Sequence, residues 1–357
     1  MQAQLLVYVG TYTRREPHVD GKAAGIYVYT LDAETGQLVY QSTAAGVINP
    51  SFVTLSPSGD FLYAVNEVAE GAVSAFAVDA ATGNLTFLNR QSSQGHAPCY
   101  VSTDADGRFV LAANYVTGNM CVLPVLAGGR LASASDNQQH QGHGPDPRQD
   151  GPHAHCIVPD QDGRHFLAAD LGTDQIMRCG LDTTQGKLFP AASPVQLSPG
   201  SGPRHLCFHP DGRMVYVLAE LTSQVFAFAY DATSGALHPQ QTISTLPPTY
   251  TAANTGAHVA VSPDGRFLYA SNRGHNSIAI YAIAPETGLL TPVGHEPTQG
   301  RTPRHFTLDA HGRFLLVANQ DSDTVVVFRR DEVGGGLTAV APPTPIPTPV
   351  CLQLTKE

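Results

Sequence analysis

Ser262-Pro263-Asp264-Gly265-Arg266-Phe267-Leu268 is one of six versions of a single phrase in this 357-residue chain. The others are Ser56-Pro57-Ser58-Gly59-Asp60-Phe61-Leu62, Asp104-Ala105-Asp106-Gly107-Arg108-Phe109-Val110, Asp160-Gln161-Asp162-Gly163-Arg164-His165-Phe166, His209-Pro210-Asp211-Gly212-Arg213-Met214-Val215 and Asp309-Ala310-His311-Gly312-Arg313-Phe314-Leu315. The six glycines are separated by 48, 56, 49, 53 and 47 residues. A repeat of that period signals a radial or stacked array. Each phrase is a tight turn, because glycine supplies its positive φ and the Pro, Asp and Ser around it favour turn geometry.

Working outward from the turn, each copy shows the same succession of elements. A short apolar run precedes it, and a second run follows, such as Phe267-Leu-Tyr-Ala-Ser271. A third, alternating run comes next (Ser277-Ile-Ala-Ile-Tyr-Ala-Ile283), then a Thr287-Gly288-Leu289-Leu290 turn into a fourth. Period-two alternation with almost no helical pattern predicts four antiparallel strands per repeat, the blade of a β-propeller. The ends of the chain supply a seventh blade between them. Leu5-Leu-Val-Tyr-Val9 and Gly25-Ile-Tyr-Val-Tyr-Thr30 match the second and third strands, while Val350-Cys-Leu-Gln-Leu354 matches the missing innermost one. The expected fold is therefore all-β: a seven-bladed propeller filling residues 1–357 as one domain, its ring closed by the C-terminal strand joining the N-terminal blade. Closure removes sheet edges that invite aggregation. The proline-rich stretch 342–349 reads as an extended connector into that strand.

Composition narrows the partners. Twenty basic against thirty acidic residues leave a net charge of −10 with no basic run, which disfavours nucleic acid. No stretch reaches the roughly 18 apolar residues of a membrane span. The first strand begins too soon to leave room for a signal peptide, and the six cysteines show no paired spacing. Both features suggest a reducing, cytoplasmic setting. A monomer or weak homodimer is expected.

Innermost strands of a propeller line its axis, so residues at one offset in successive blades face one another. Eight residues before each turn glycine stand Ser51, Cys99, His155, Arg204, Ala257 and Arg304. The next position holds Phe52, Tyr100, Cys156, His205, His258 and His305. Eight residues after the glycine come Glu67, Tyr115, Leu171, Glu220, Arg273 and Gln320, preceded by Asn66, Asn114, Asp170, Ala219, Asn272 and Asn319. Guanidinium forks grip carboxylate or phosphate at two points. Arg204, Arg273 and Arg304 thus predict a small anionic ligand at one channel mouth, with titratable His and Glu beside it. Pairing of Arg204 with Glu220, and of Arg273 with Glu67, is the purely structural reading of the same charges. The Asn column reads as turn-capping.

The 56-residue step contains a polar insertion that carries His140, His143 and His153 and runs to His155. It is expected to act as a loop over the mouth. His153-Ala-His155 on a strand would put both rings on one face, a spacing zinc can use. No cysteine or carboxylate stands at ligand spacing nearby, so neither metal nor cofactor is expected.

These elements resemble the propeller-type lactonase family, which includes bacterial 6-phosphogluconolactonases and the fungal 3-carboxy-cis,cis-muconate lactonizing enzyme. The likeness is carried by Gly151-Pro-His-Ala-His155, Gly202-Pro-Arg-His205 with Leu218-Ala-Glu220, Gly256-Ala-His-Val259 with Ser271-Asn-Arg273, and Thr302-Pro-Arg-His305. It implies a catalytic set of His155 (or its neighbour His153), Arg204, Glu220 and Arg273. Around these, His153, Asp170, His205, His258, Arg304, His305, Gln320 and Glu67 are candidate substrate contacts. Hydrolysis of an anionic sugar lactone such as 6-phosphogluconolactone is the expected activity, with His155 or Glu220 taking a proton from water. Cycloisomerisation of a carboxymuconate would use the same residues. A non-catalytic ring would instead present an inert channel and an apolar rim.

Overall fold

The computed structural model describes residues 5–355. Among them, seven four-stranded antiparallel sheets stand around one axis, one of them extended by a further short strand. Blade 1 is built as predicted from both ends of the chain: Pro349–Leu354 lies innermost, followed outward by Leu5–Thr11, Gly25–Leu31 and Leu38–Ala45. Its closing register pairs Val7 with Leu354 and Val9 with Leu352. The innermost strands of the other blades begin at Val53, Pro98, Ala154, Pro203, Thr255 and Pro303. The turn glycines all lie at positive φ, for example +72° at Gly265, where any Cβ would be strained.

Blades adhere through apolar layers drawn from two neighbouring sheets. Val215, Val217 and Phe226 of blade 5 share one cluster with Leu167, Ala169 and Ile176 of blade 4. Tyrosines on the second strands act as cross-blade staples: Tyr216 Oη donates to Gly288 O (2.8 Å) and Tyr269 Oη to Gly335 O (2.9 Å), each in the Thr-Gly or Gly-Gly turn of the following blade. Full burial of such a ring removes a large apolar surface while its hydroxyl keeps a partner.

Two segments are more ordered than the sequence suggests. The insertion starts inside a strand, since Asp136–Gln139 forms the outer edge of blade 3. The proline-rich connector pairs Thr344 and Pro345 with Val325 and Thr324, extending blade 7. No helix among the described residues is long and apolar enough to cross a membrane. The outer strands expose Val39, Tyr40, Phe87 and Phe189.

Candidate active site

One backbone irregularity builds the site. In blades 3, 4, 5 and 7 the innermost strand pairs with its neighbour on either side of a single residue and skips it: Cys99, His155, Arg204 and Arg304. Blade 6 skips two, Ala257 and His258. Each of these five register shifts is a β-bulge, which bends the strand and re-aims the side chain. Without the bulge, residues 204 and 205 would point to opposite faces of the sheet. With it, the whole column turns inward at one mouth of the channel.

Glu220 is the centre of that mouth. Its side chain is 3% exposed, and its Oε2 accepts from Arg204 Nη1 at 2.6 Å and lies 2.9 Å from Arg273 Nη2. Its Oε1 accepts from Arg148 Nη2 at 2.5 Å. Burial pushes the Glu220 carboxyl up, but Arg273, Arg204 and Arg148 together outweigh burial and hold it well below the usual range. Arg204 also donates to Ala257 O (2.8 Å) and to His155 Nε2 (2.6 Å). Burial, with Arg204 adjacent, keeps His155 well below its ordinary value. A guanidinium carries donors only, so His155 is the Nδ1–H tautomer, its N–H directed at Cys99 Sγ 3.7 Å away.

Arg273 is the most strained cation. Burial lowers it to about 9 although Glu220 supports its charge, because Arg204, Arg304 and Arg148 crowd it. Its Nη2 donates to Gly256 O (3.1 Å), while its buried Nε has no partner. Across the mouth lies a second group. Arg304 Nη2 donates to Tyr12 Oη (3.0 Å), and His18 Nε2 lies 3.2 Å from that hydroxyl and 3.8 Å from Glu67 Oε1. Ser51 Oγ donates to Glu67 Oε2. Four guanidiniums face two carboxylates here, so the mouth is cationic within an acidic protein.

The candidates divide accordingly. His155, Arg204, Glu220 and Arg273 come together, and Arg304 and Glu67 complete the opposite wall. Arg204 pairs with Glu220 as expected, but Arg273 also pairs with Glu220. The expected Arg273–Glu67 pair is replaced by the contacts of Glu67 with Ser51 and His18. His153 and His155 do not share a face, because the bulge separates them. His153 stacks on Tyr115 at 4.6 Å, with Nδ1 2.9 Å from Tyr115 O and Nε2 3.2 Å from Asp150. Among the described residues no three His, Cys, Asp or Glu side chains are grouped to hold a metal ion.

His205, His258 and His305 pack on one another. His205 Nδ1 lies 2.8 Å from His258 Nδ1, and His258 stacks on His305 at 4.0 Å. Phe52 and Tyr100 close the rosette at 4.2 Å, plugging the channel one residue deeper than the arginines. Asp170 holds structure: its Oδ1 accepts from the backbone of His153, Gly172 and Thr173, and its Oδ2 meets His140 Nδ1 at 2.6 Å. Gln320 is buried, its Nε2 donating to Asp321 Oδ1. A cavity of about 1180 Å³ opens among the turns at residues 56–60 and 103–105 and the end of the closing strand, and no basic side chain lines it. The basic side chains of the hub gather at the arginine end.

Arg148, Tyr12, His18 and Tyr115 were not among the sequence candidates. Tyr115 stood in the Glu67–Glu220 column, and Arg148 lay in an insertion read for its histidines.

A closed ring of seven blades with an arginine-gripped carboxylate at one hub defines a class, and comparison with known proteins names it. Residues 6–354 match the family model described as lactonase, 7-bladed beta-propeller, and the chain belongs to that family. It is 37% identical over 351 residues to a Bacillus subtilis 6-phosphogluconolactonase, covering 98% of each chain. It is 35% identical over 340 residues to one from Formosa agariphila, covering 93% of this chain and 94% of that one. The solved structure of a Pseudomonas aeruginosa periplasmic gluconolactonase superposes with a TM-score of 0.91 at 33% identity, covering 98% of this chain and 99% of that one.

Proposed function

We propose that this protein hydrolyses an anionic sugar lactone, with 6-phosphogluconolactone as substrate. The observation that carries the reading is Glu220, a buried carboxylate ringed by three guanidiniums whose combined charge exceeds its own. Such a site attracts a second anion and stabilises negative charge as it develops. The relatives named as 6-phosphogluconolactonases support the substrate class.

In the reaction, water adds to the lactone carbonyl carbon, negative charge gathers on the carbonyl oxygen, and the ring C–O bond then breaks. Arg273, more open than Arg204 and held by fewer partners, is the donor assigned to the developing charge. Arg204 is committed to Glu220, His155 and Ala257, so it sets the frame in which Arg273 works. Glu220 accepts the proton of the attacking water and returns it to the departing ring oxygen. It is a weak base in this setting, which a strained ester tolerates. His155, neutral and with its lone pair on Arg204, positions that guanidinium.

The test compares two substrates. Protein supplied with freshly generated 6-phosphogluconolactone, corrected for spontaneous opening, accelerates formation of 6-phosphogluconate. Inertness toward the lactone, with loss of ultraviolet absorbance from a tricarboxylate diene, assigns cycloisomerisation instead.

A further inference from the structure

The insertion breaks the repeat between blades 3 and 4, and it is riveted in place. His140, 5% exposed, is held by Asp170. Gln149 is fully buried: its Nε2 donates to Leu171 O (2.8 Å) and Asp174 Oδ1 (2.7 Å), and its Oε1 accepts from Asp146 N (3.1 Å). Asp174 also accepts from Gly200 N and Gly202 N, both at 2.7 Å. Those glycines lead directly into Pro203 and Arg204. One buried node therefore fixes both the loop that carries Arg148 and the strand that carries Arg204.

Arg148 emerges from this node over Glu220. Its side chain is 45% exposed, against 4% for Arg204 and 13% for Arg273. Its Nη2 is on Glu220 Oε1, and its guanidinium also meets the Tyr115 side chain. It is thus the site's guanidinium most open to an approaching ligand, and it masks the carboxylate oxygen not used by Arg204 and Arg273.

We infer that Arg148 recognises the phosphate of the substrate, and that in doing so it leaves Glu220 Oε1 free to accept the proton of the attacking water. The assignment rests on the hydrolytic reading and deepens it. A phosphate offers the fork geometry that a carboxylate offers, with more charge. Exchange of Glu220 for phosphate keeps Arg148 paired and uncovers the base only when a phosphorylated ligand is present. A plain sugar lactone lacks the group that would move Arg148, so the insertion confers the preference for phosphorylated substrate.

The test uses the full chain with Arg148→Ala and Arg148→Lys. Calorimetry measures 6-phosphogluconate and gluconate binding, and rates are measured on the phosphorylated and plain lactones. The wild-type preference for phosphogluconate should fall about 10- to 100-fold in Arg148→Ala, the span of one lost charge-assisted bond. Arg148→Lys should recover part of it. On the lactones, kcat/KM should fall for the phosphorylated substrate and hold or rise for the plain one, whose base is no longer masked. The acid limb for the plain lactone should move to higher pH, as Glu220 loses one guanidinium. Equal losses on both ligands, or a retained preference, overturn the assignment. Arg148-dependent binding without turnover of either lactone would instead sink the hydrolytic reading and leave the phosphate contact standing.

Discussion

Arg204 Nη1 donates to the neutral Nε2 of His155 across 2.6 Å, from one blade to the next. The contact fixes the imidazole tautomer and removes its lone pair from use as a base. Loss of this ring frees a buried guanidinium that then competes for Glu220. His155→Ala should lower kcat/KM about 10- to 100-fold, the value of a hydrogen bond to a charged group. Nitrogen-15 NMR of the wild type should show His155 protonated only at Nδ1 at pH 7, and still so once pH falls below its ordinary value. A signal titrating near its ordinary value would contradict the assignment.

Glu220 and its cations are unequal partners. Glu220→Gln leaves Arg204 and Arg273 buried without their carboxylate, and removing one partner of a buried pair costs about 3–5 kcal/mol. Arg273→Ala leaves Glu220 with Arg204 and Arg148, so its stability loss should be clearly smaller while activity is lost in both. Urea unfolding of the two variants measures the order. The reverse order would show that Arg273, not Glu220, holds the hub together.

The hub histidines make the fold acid-sensitive. Burial is the first cause that lowers His155, His205 and His258 well below their ordinary value, and it takes His305 to about 3. Between the unfolded value near 6.5 and these folded values, the unfolded chain binds protons that the native ring refuses. Stability is therefore unaffected by these groups above about pH 6.5 and is lost as pH falls below it. Each contributes a slope of about 1.4 kcal/mol per pH unit within that window. Unfolding free energy measured from pH 7 to pH 4.5 should fall steeply, and His305→Phe should flatten the curve. An unchanged slope in that variant would contradict the buried, neutral state of His305.

Ring closure depends on a six-residue strand. Pro349–Leu354 supplies the innermost position of blade 1, and Val350, Cys351 and Leu352 are all buried. Truncation before Pro349 exposes the edge of Leu5–Thr11 and opens the ring at its axis. Expression of the truncated chain should give aggregates by size-exclusion chromatography. A soluble monomer with unchanged melting temperature would show that closure is dispensable.

The fold was legible because turn chemistry repeats: the positive-φ glycines set the period, and the complementary ends predicted the closing strand. The Asn column was also readable. Asn66, Asn114, Asn272 and Asn319 each donate Nδ2 to a carbonyl at the end of the preceding segment, Ile48, Ser93, Thr245 and Thr298. Asp170 breaks that column for a local reason, since it meets the His140 ring and backbone N–H groups instead of a carbonyl. In the structure that side chain ties the insertion to blade 4. The bulges were not legible, because an extra residue in a strand has no compositional mark. Their absence from the reading is why His205, His258 and His305 were grouped with the arginines, although they sit one layer deeper. Arg148 and His18 lie on irregular segments with no repeat partner, so no column could place them.

The account's central claim is that arginines gathered by strand bulges at one hub open a phosphorylated lactone. Phosphorus-31 NMR of freshly formed 6-phosphogluconolactone, followed with wild type and with Arg273→Ala, tests it most directly. The account predicts ring opening well above the spontaneous rate with wild type, and the spontaneous rate alone with a folded Arg273→Ala. Equal acceleration by both proteins would contradict it.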